Sequence, residues 1–515
     1  MHIVQVVLFL VALATVVATF ADRISVPAPS LLVLAGLLVG LTPYASNIGV
    51  SPEIVSLVVL PPLIYAAGEE LSWRELKRVW KPVSLLAVGL VVVSAAAVGF
   101  VTVLLTPLPL ALGFVLGAVL ASTDPVAVTA LGRKLSLPPR LQTLVQAESL
   151  FNDATSLVLF RIAVGAALAG GVAGWTGIAR EFALLAVGGA AIGAVVAAGV
   201  ALVRRRTEDP VLESVIALVT PYLAYVLAEI AHSSGVTAVV VAAVILGGQA
   251  EKLTDARIRL QLTAVYGTVI FLLESVVFSL IGLQLPSQIR RLSGEEQSWL
   301  PAVLAVALTL IVVRVAWMFP LAAIRQWRGG RRLRSSWQVP AVVSWAGARG
   351  VVPLAATLSI PLADAAGRPL PYRDLLMVVA TGVIVISLLV QGLTLAPLVR
   401  LSGLAVSPHD SHAEYVRGRR KLAELAVSYL DELADLEAAS PVVLERVRHS
   451  LHIRMELEQE REGDPNDVYG RIRRDVLAVQ SDALSRMYAD GEIGERTRRR
   501  LQRHLDREDL RFTDD

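Results

Sequence analysis

The sequence predicts an all-α membrane protein of about 13 transmembrane helices, followed by a helical cytoplasmic tail. Three observations carry this. The 515 residues are 55% hydrophobic and only 18% charged, where a soluble chain carries roughly 25% charge, and the mean hydropathy is +0.63. The apolar residues fall in runs of about 17–25, the length that spans a bilayer. Lysine and arginine crowd into every second gap between those runs, which is the mark of cytoplasmic loops. The net charge of +3 does not point to nucleic acid, because the basic residues flank apolar runs. The chain has no cysteine, which excludes disulfides and thiolate metal sites.

The runs in order are Ile3–Phe20, Pro29–Ser46, Pro52–Gly68, Pro82–Leu105, Leu110–Leu131, Leu141–Leu168 and Phe182–Val203. Then come Val211–Ala231, Val236–Gly248, Leu262–Leu285, Leu300–Ile324, Val339–Ile360 and Leu375–Val399. The first run lacks a basic leader and a small-residue cleavage site, so it reads as a helix and not as a signal peptide. Pro29–Ser46 is short, and Val236–Gly248 is too short to span unless its ends are polar. Gaps after odd-numbered runs hold clusters such as Arg74, Lys77, Arg78 and Lys81, or Arg204, Arg205 and Arg206; gaps after even-numbered runs hold few bases. This alternation puts the N-terminus outside and the C-terminus in the cytoplasm. Residues 1–405 form the membrane domain. Residues 406–515 form the tail, where apolar residues recur at helical spacing between acids and bases and no catalytic constellation is visible.

Two runs are interrupted. The fifth contains Ser122-Thr123-Asp124-Pro125, and the twelfth contains Ala346-Gly347-Ala348-Arg349-Gly350 followed by Pro353. Proline and glycine unwind helices there, and irregular backbone at membrane depth is tolerated only where it lines a cavity or is buried. The fifth and twelfth runs correspond if the chain is two inverted six-helix repeats joined by the seventh run. Paired broken helices in corresponding positions point to a transporter's binding site.

The ionisable residues at membrane depth are Asp124, Glu148, Asp153 and Glu274 against Arg161, Arg314 and Arg349. Buried charges pair or cost several kcal/mol each. Full pairing leaves one carboxylate without a fixed partner. Such a group binds either a proton or a small cation, and that competition is the minimum machinery of exchange. Asp153 is the candidate, because Asn152 and Ser149 beside it supply neutral oxygens, which suit a hard cation. Arg349 is the expected partner of Glu148. Amides and helix N-termini at the break can hold Asp124 ionised. A pair between Glu274 and Arg314 is possible, though nothing in the sequence fixes it.

Four segments resemble the sodium/proton antiporters, in the branch with Asn-Asp at the ion site: QAESLFNDATSLVLF (146–160), ASTDPVAV (121–128), SWAGARGVVPLA (344–355) and LPPLIYAAGEELSWRELKRVW (60–80). The resemblance implies crossed broken helices, a dimerisation subdomain beside a moving core, a homodimer in the cell membrane and elevator-like alternating access. It implies no cofactor and no enzymatic activity. By motif, Asp153 is the cation and proton site, with Ser149 and the backbone of Thr123 as further ligands. Glu148 and Arg349 form a core ion pair with Asp124 nearby, and Asn152 is structural. The substrates implied are Na+, with Li+ or K+ as alternatives, and H+. The family often carries an acid where this chain has Ala66. Glu69, one turn on, is a possible secondary ligand, although it reads better as part of the cytoplasmic end with Glu70. An intramembrane aspartyl protease fits poorly, because neither Asp124 nor Asp153 lies in a Gly-x-Gly-Asp context. A passive cation channel is the better rival, and proton-dependent flux separates it from an antiporter.

Overall fold

The computed structural model describes residues 2–24, 27–42, 55–71, 73–124, 137–168, 175–207, 209–292, 299–328, 337–363, 367–404, 408–435, 440–450, 468–490 and parts of 492–505. The chain forms two compact units, Met1–Val406 and Ser407–Asp515.

The first unit begins with α1 (His2–Ile24), α2 (Ala28–Gly40) and α3 (Leu60–Glu69), the last entered through a π-helical turn at Val55–Val59. Next, α4 (Trp73–Ser84), a π-helical turn at Leu85–Leu90 and α5 (Val91–Leu105) form one continuous rod. The segment before Pro82 was expected to be a basic loop and is instead helical. Its pattern is amphipathic: Leu76 and Val83 are buried while Arg74, Lys77, Arg78 and Lys81 stay exposed. α6 (Leu110–Ala121), α7 (Pro139–Leu168) and α8 (Trp175–Arg204) follow. α9 (Pro210–Ile230) is capped by Asp209, whose side chain accepts from Val211 N–H at 2.7 Å, and α10 (Gly235–Gly247) by Ser234, which accepts from Thr237 N–H at 3.2 Å. The unit closes with α11 (Ala256–Ile289), α12 (Trp299–Arg328), α13 (Gln338–Trp345), α14 (Val351–Leu358) and α15 (Arg373–Ser402).

Seven helices among the described residues are long and apolar enough to cross a membrane, and five shorter apolar helices accompany them. Their packing divides them into two sets. One set is α1, α2, α3, α8, α9, α10 and α11, and the other is α4–α7 with α12–α15. Within the first set α2 and α11 meet almost backbone to backbone. A Cβ on Gly40 would lie 2.6 Å from Leu283 O, and Cβ atoms on Gly36 and Gly282 would also run into the facing backbone. Small residues permit such approach between apolar helices, where packing rather than a hydrophobic drive holds the pair. In the second set α7 and α15 are central, and together with α14 they also touch the first set.

The expected break in the twelfth run is present: α13 ends at Trp345 and α14 starts at Val351, with non-helical backbone between them. The fifth run leaves helix after Ala121 and is extended at Ser122. Pro125 and the remainder of that run lie outside the described residues.

The second unit contains α16 (Pro408–Asp435), a helical segment at 440–450 and α17 (Val468–Ala489). Leu430, Leu444, Leu477 and Leu484 are buried, and Arg448 pairs with Asp431 across the first two helices.

Candidate ion-binding site

The two interruptions meet. Asp124 N–H donates to Ala348 O at 2.7 Å, and Val351 N–H, at the start of α14, donates to Asp124 Oδ2 at 3.3 Å. The positive end of α14 thus faces a carboxylate. Gly350 is required for this approach, because a Cβ there would fall inside the Asp124 carboxylate, 1.4 Å from Oδ2. Gly350→Ala is therefore expected to force the breaks apart. Thermal melting of the purified variant should fall well below wild type, with loss of exchange. A variant that melts and transports as wild type would show that the contact is dispensable.

α7 lays its polar residues against the extended stretch after α6. Ser149 Oγ donates to Thr123 O at 2.5 Å, Asn152 Nδ2 donates to Thr123 Oγ1 at 2.6 Å, and Asn152 Oδ1 accepts from Thr123 N–H at 3.3 Å. Asn152 therefore satisfies both ends of Thr123, and backbone freed by the break is re-bonded by a side chain. Asp153, 7% exposed, accepts a hydrogen bond at Oδ1 from Ser122 Oγ. Among the described residues no basic side chain lies within ion-pair distance of it. The carboxylate is thus gathered with the hydroxyls of Ser122 and Ser149 and the carbonyl of Thr123. This donor set is one charge plus neutral oxygens. Among the described residues no three His, Cys, Asp or Glu side chains converge as a transition-metal site would require.

The charge pairing differs from expectation. Glu148, 1% exposed, pairs with Arg314 on α12 at 2.6 Å and not with Arg349. Arg314 also donates from Nε to Val343 O at 3.1 Å. Gly347 makes this possible, since a Cβ there would stand 2.6 Å from Arg314 Nε. Arg349, 3% exposed, instead donates from Nη1 to Gly347 O, with its own backbone N–H donating to Ser387 Oγ at 3.0 Å. A cavity of about 40 Å³ separates α12 from α15, lined by Arg314, Gly347, Arg349, Ser387 and Gln391. Arg314, a possible partner of Glu274 in the sequence, pairs with Glu148; Glu274 lies on α11 in the other set of helices. Arg161 stands apart from this cluster: it pairs with Glu229 of α9, and both side chains are partly exposed. Glu69 ends α3, and its electrostatic neighbours are Arg204 and Glu70.

Two features were missed from the sequence. Ser122 was quoted as part of the break but given no role, although it stands next to Thr123-Asp124 in a polar triplet. Arg204 was read as a loop residue, yet it forms a 2.7 Å pair with Glu213 in which the side chains are 1% and 0% exposed. No one-dimensional signal distinguishes it from Arg205 and Arg206.

Residues 9–401 match the family model described as sodium/hydrogen exchanger, transmembrane. The chain belongs to the sodium/hydrogen exchanger family. Members are cation/proton antiporters, transporters and not enzymes. An uncharacterized Na+/H+ exchanger of Mycobacterium tuberculosis is 32% identical over 99% of this chain and 96% of its own length. The Na+/H+ antiporter ApNhaP of Aphanothece halophytica is 32% identical over 75% of this chain and 71% of its own. The solved sodium proton antiporter MjNhaP1 of Methanocaldococcus jannaschii superposes with a TM-score of 0.61 at 20% identity, covering 79% of this chain and all of that one. That likeness shows the shared fold.

Proposed function

We propose that this exchanger is a secondary antiporter that trades Na+, or Li+, for H+ at Asp153 by elevator-like alternating access. The observation that carries this reading is the position of Asp153, buried among Ser122, Ser149 and the Thr123 carbonyl with no cationic partner among the described residues. In the core, Asp124 faces the α14 N-terminus and Glu148 faces Arg314, with Arg349 beside them. Among the described residues three carboxylates then stand against two guanidiniums, and the excess negative charge falls to Asp153. Either a proton or one monovalent cation neutralises it.

The division into two helix sets supports a core of α4–α7 and α12–α15 that moves against α1–α3 and α8–α11. The reading includes thirteen crossings in two inverted repeats, a homodimer in the cell membrane, the N-terminus outside and residues 406–515 in the cytoplasm, and a role in pH homeostasis. Potassium is the alternative cation. It is favoured by a 27% identical Bacillus subtilis relative named sodium, potassium, lithium and rubidium/H+ antiporter.

One cation for one proton at one carboxylate makes exchange electroneutral. Moving an uncompensated charge across 100 mV is worth about 2.3 kcal/mol, so any voltage dependence would be large. The test is proteoliposome exchange with Li+, Na+ and K+ gradients. If K+ is not transported, a valinomycin potential is then imposed under a Na+ gradient. Proton flux should require Na+ or Li+ and ignore the voltage. A rate that follows voltage would mean a second charge travels with the core, and flux without proton coupling would mean a channel.

A further inference from the structure

Beyond Asp153, Arg161 is the only charged residue on α7. It lies eight residues on, about 12 Å along the axis. Its guanidinium reaches out of its own helix set. One amino group pairs with Glu229 on the last turn of α9, and Nη1 donates to Ser233 O at 3.0 Å in the turn before α10. The receiving turn is built as an acceptor. His232 adopts a left-handed φ of 53°, Ser233 N–H returns to Ala228 O at 2.8 Å, and Ser234 N–H is tied to Leu185 O of α8 at 3.1 Å. Glu229 Oε1 also accepts from Gly235 N–H at 3.3 Å, which leaves the carboxylate held from the α10 side.

This pair differs in kind from the other inter-helix pairs described in the first unit. Arg204–Glu213 and Arg314–Glu148 each join helices of a single set and are sealed from solvent. Arg161–Glu229 joins the two sets, and its side chains are 40% and 35% exposed. Opening a sealed pair strands a charge in an apolar interior, whereas water takes over both partners of a half-exposed pair at the end of a span, as beside the turn that follows α9. Arg161–Glu229 is therefore an inter-set ion pair able to open in every transport cycle.

We propose that Arg161 and Glu229 are gating residues. Their pair latches the Asp153-bearing helix to the α9–α10 turn on the side away from the basic loops, and it must part before Asp153 is exposed on that side. This rests on the alternating-access reading above.

The chain has no cysteine, so introduced thiols are unambiguous. Arg161→Cys with Glu229→Cys is reconstituted and bridged by a short, disulfide-forming bis-thiosulfonate reagent. Exchange should persist before bridging, fall to background after it and return on reduction. The bridged protein in detergent should still gain thermal stability from Na+, because the site remains open to the opposite side. Arg161→Cys with Ser233→Cys spans the same contact with Glu229 intact and serves as the second pair. Undiminished exchange in fully bridged protein overturns the latch. So does failure of folded protein to bridge, or loss of exchange in both pairs before bridging. A control bridge between the sets at α2 and α15, Ser30→Cys with Gly392→Cys, separates the two claims. If the control arrests exchange and the latch bridge does not, alternating access stands and the latch falls. If neither arrests it, the sliding of the two sets falls as well.

Discussion

Asp153→Asn abolishes cation/proton exchange in proteoliposomes and leaves a folded protein. The substitution keeps the size of the side chain and its ability to accept from Ser122 Oγ at the amide oxygen, so the break between α6 and α7 keeps its hydrogen bonds. It removes the only property the mechanism uses: an amide neither releases a proton nor offers a net negative charge to a cation. The same loss would follow from misfolding, so the melting temperature without Na+ must stay near wild type, while the stabilisation that Na+ gives the wild type must vanish. Exchange at near wild-type rate in Asp153→Asn would remove Asp153 from the site.

The largest loss of stability is expected from Arg314→Ala. Glu148 has no hydrogen-bond partner among the described residues, and its one ion pair is with Arg314. Truncating Arg314 strands a carboxylate that is 1% exposed, at a cost of about 3–5 kcal/mol. Adding Glu148→Gln removes that charge and should recover part of the loss, although the amide is then left with fewer partners than it can use. Arg349→Ala should cost less, because Arg349 donates to a backbone carbonyl and makes no contact pair with Glu148. Thermal melting of the three variants beside wild type decides it. If Arg349→Ala is the more damaging single change, or if the double variant is no more stable than Arg314→Ala, the pairing seen here is not the one that holds the core.

The helical, membrane-spanning class was legible because lipid imposes it: apolar runs of bilayer length leave few alternatives. The break at Arg349–Gly350 was legible from two glycines and a proline, and the polar run of α7 from the cost of carboxylates at depth. Pairing was not legible. The sequence reading gave Glu148 to Arg349, whereas Arg314 takes that place. The choice depends on Gly347 leaving room for the Arg314 guanidinium, a fact of three-dimensional packing. Arg161 was read only as a charge inside an apolar run; helix rise carries it two turns beyond Asp153, where it meets the partly exposed Glu229. The helicity of residues 73–84 was hidden by their charge, since an amphipathic helix ahead of a span reads as a basic loop when only hydropathy is followed.

The central claim is that one carboxylate carries both substrates in turn. Its most direct measurement is proton release on Na+ binding to the purified protein in weakly buffered detergent solution, with Asp153→Asn alongside. At a pH where the empty site is protonated, release should approach one proton per bound Na+ in the wild type and be absent from the variant. Sodium binding without proton release at any pH, or equal release from Asp153→Asn, would contradict the account.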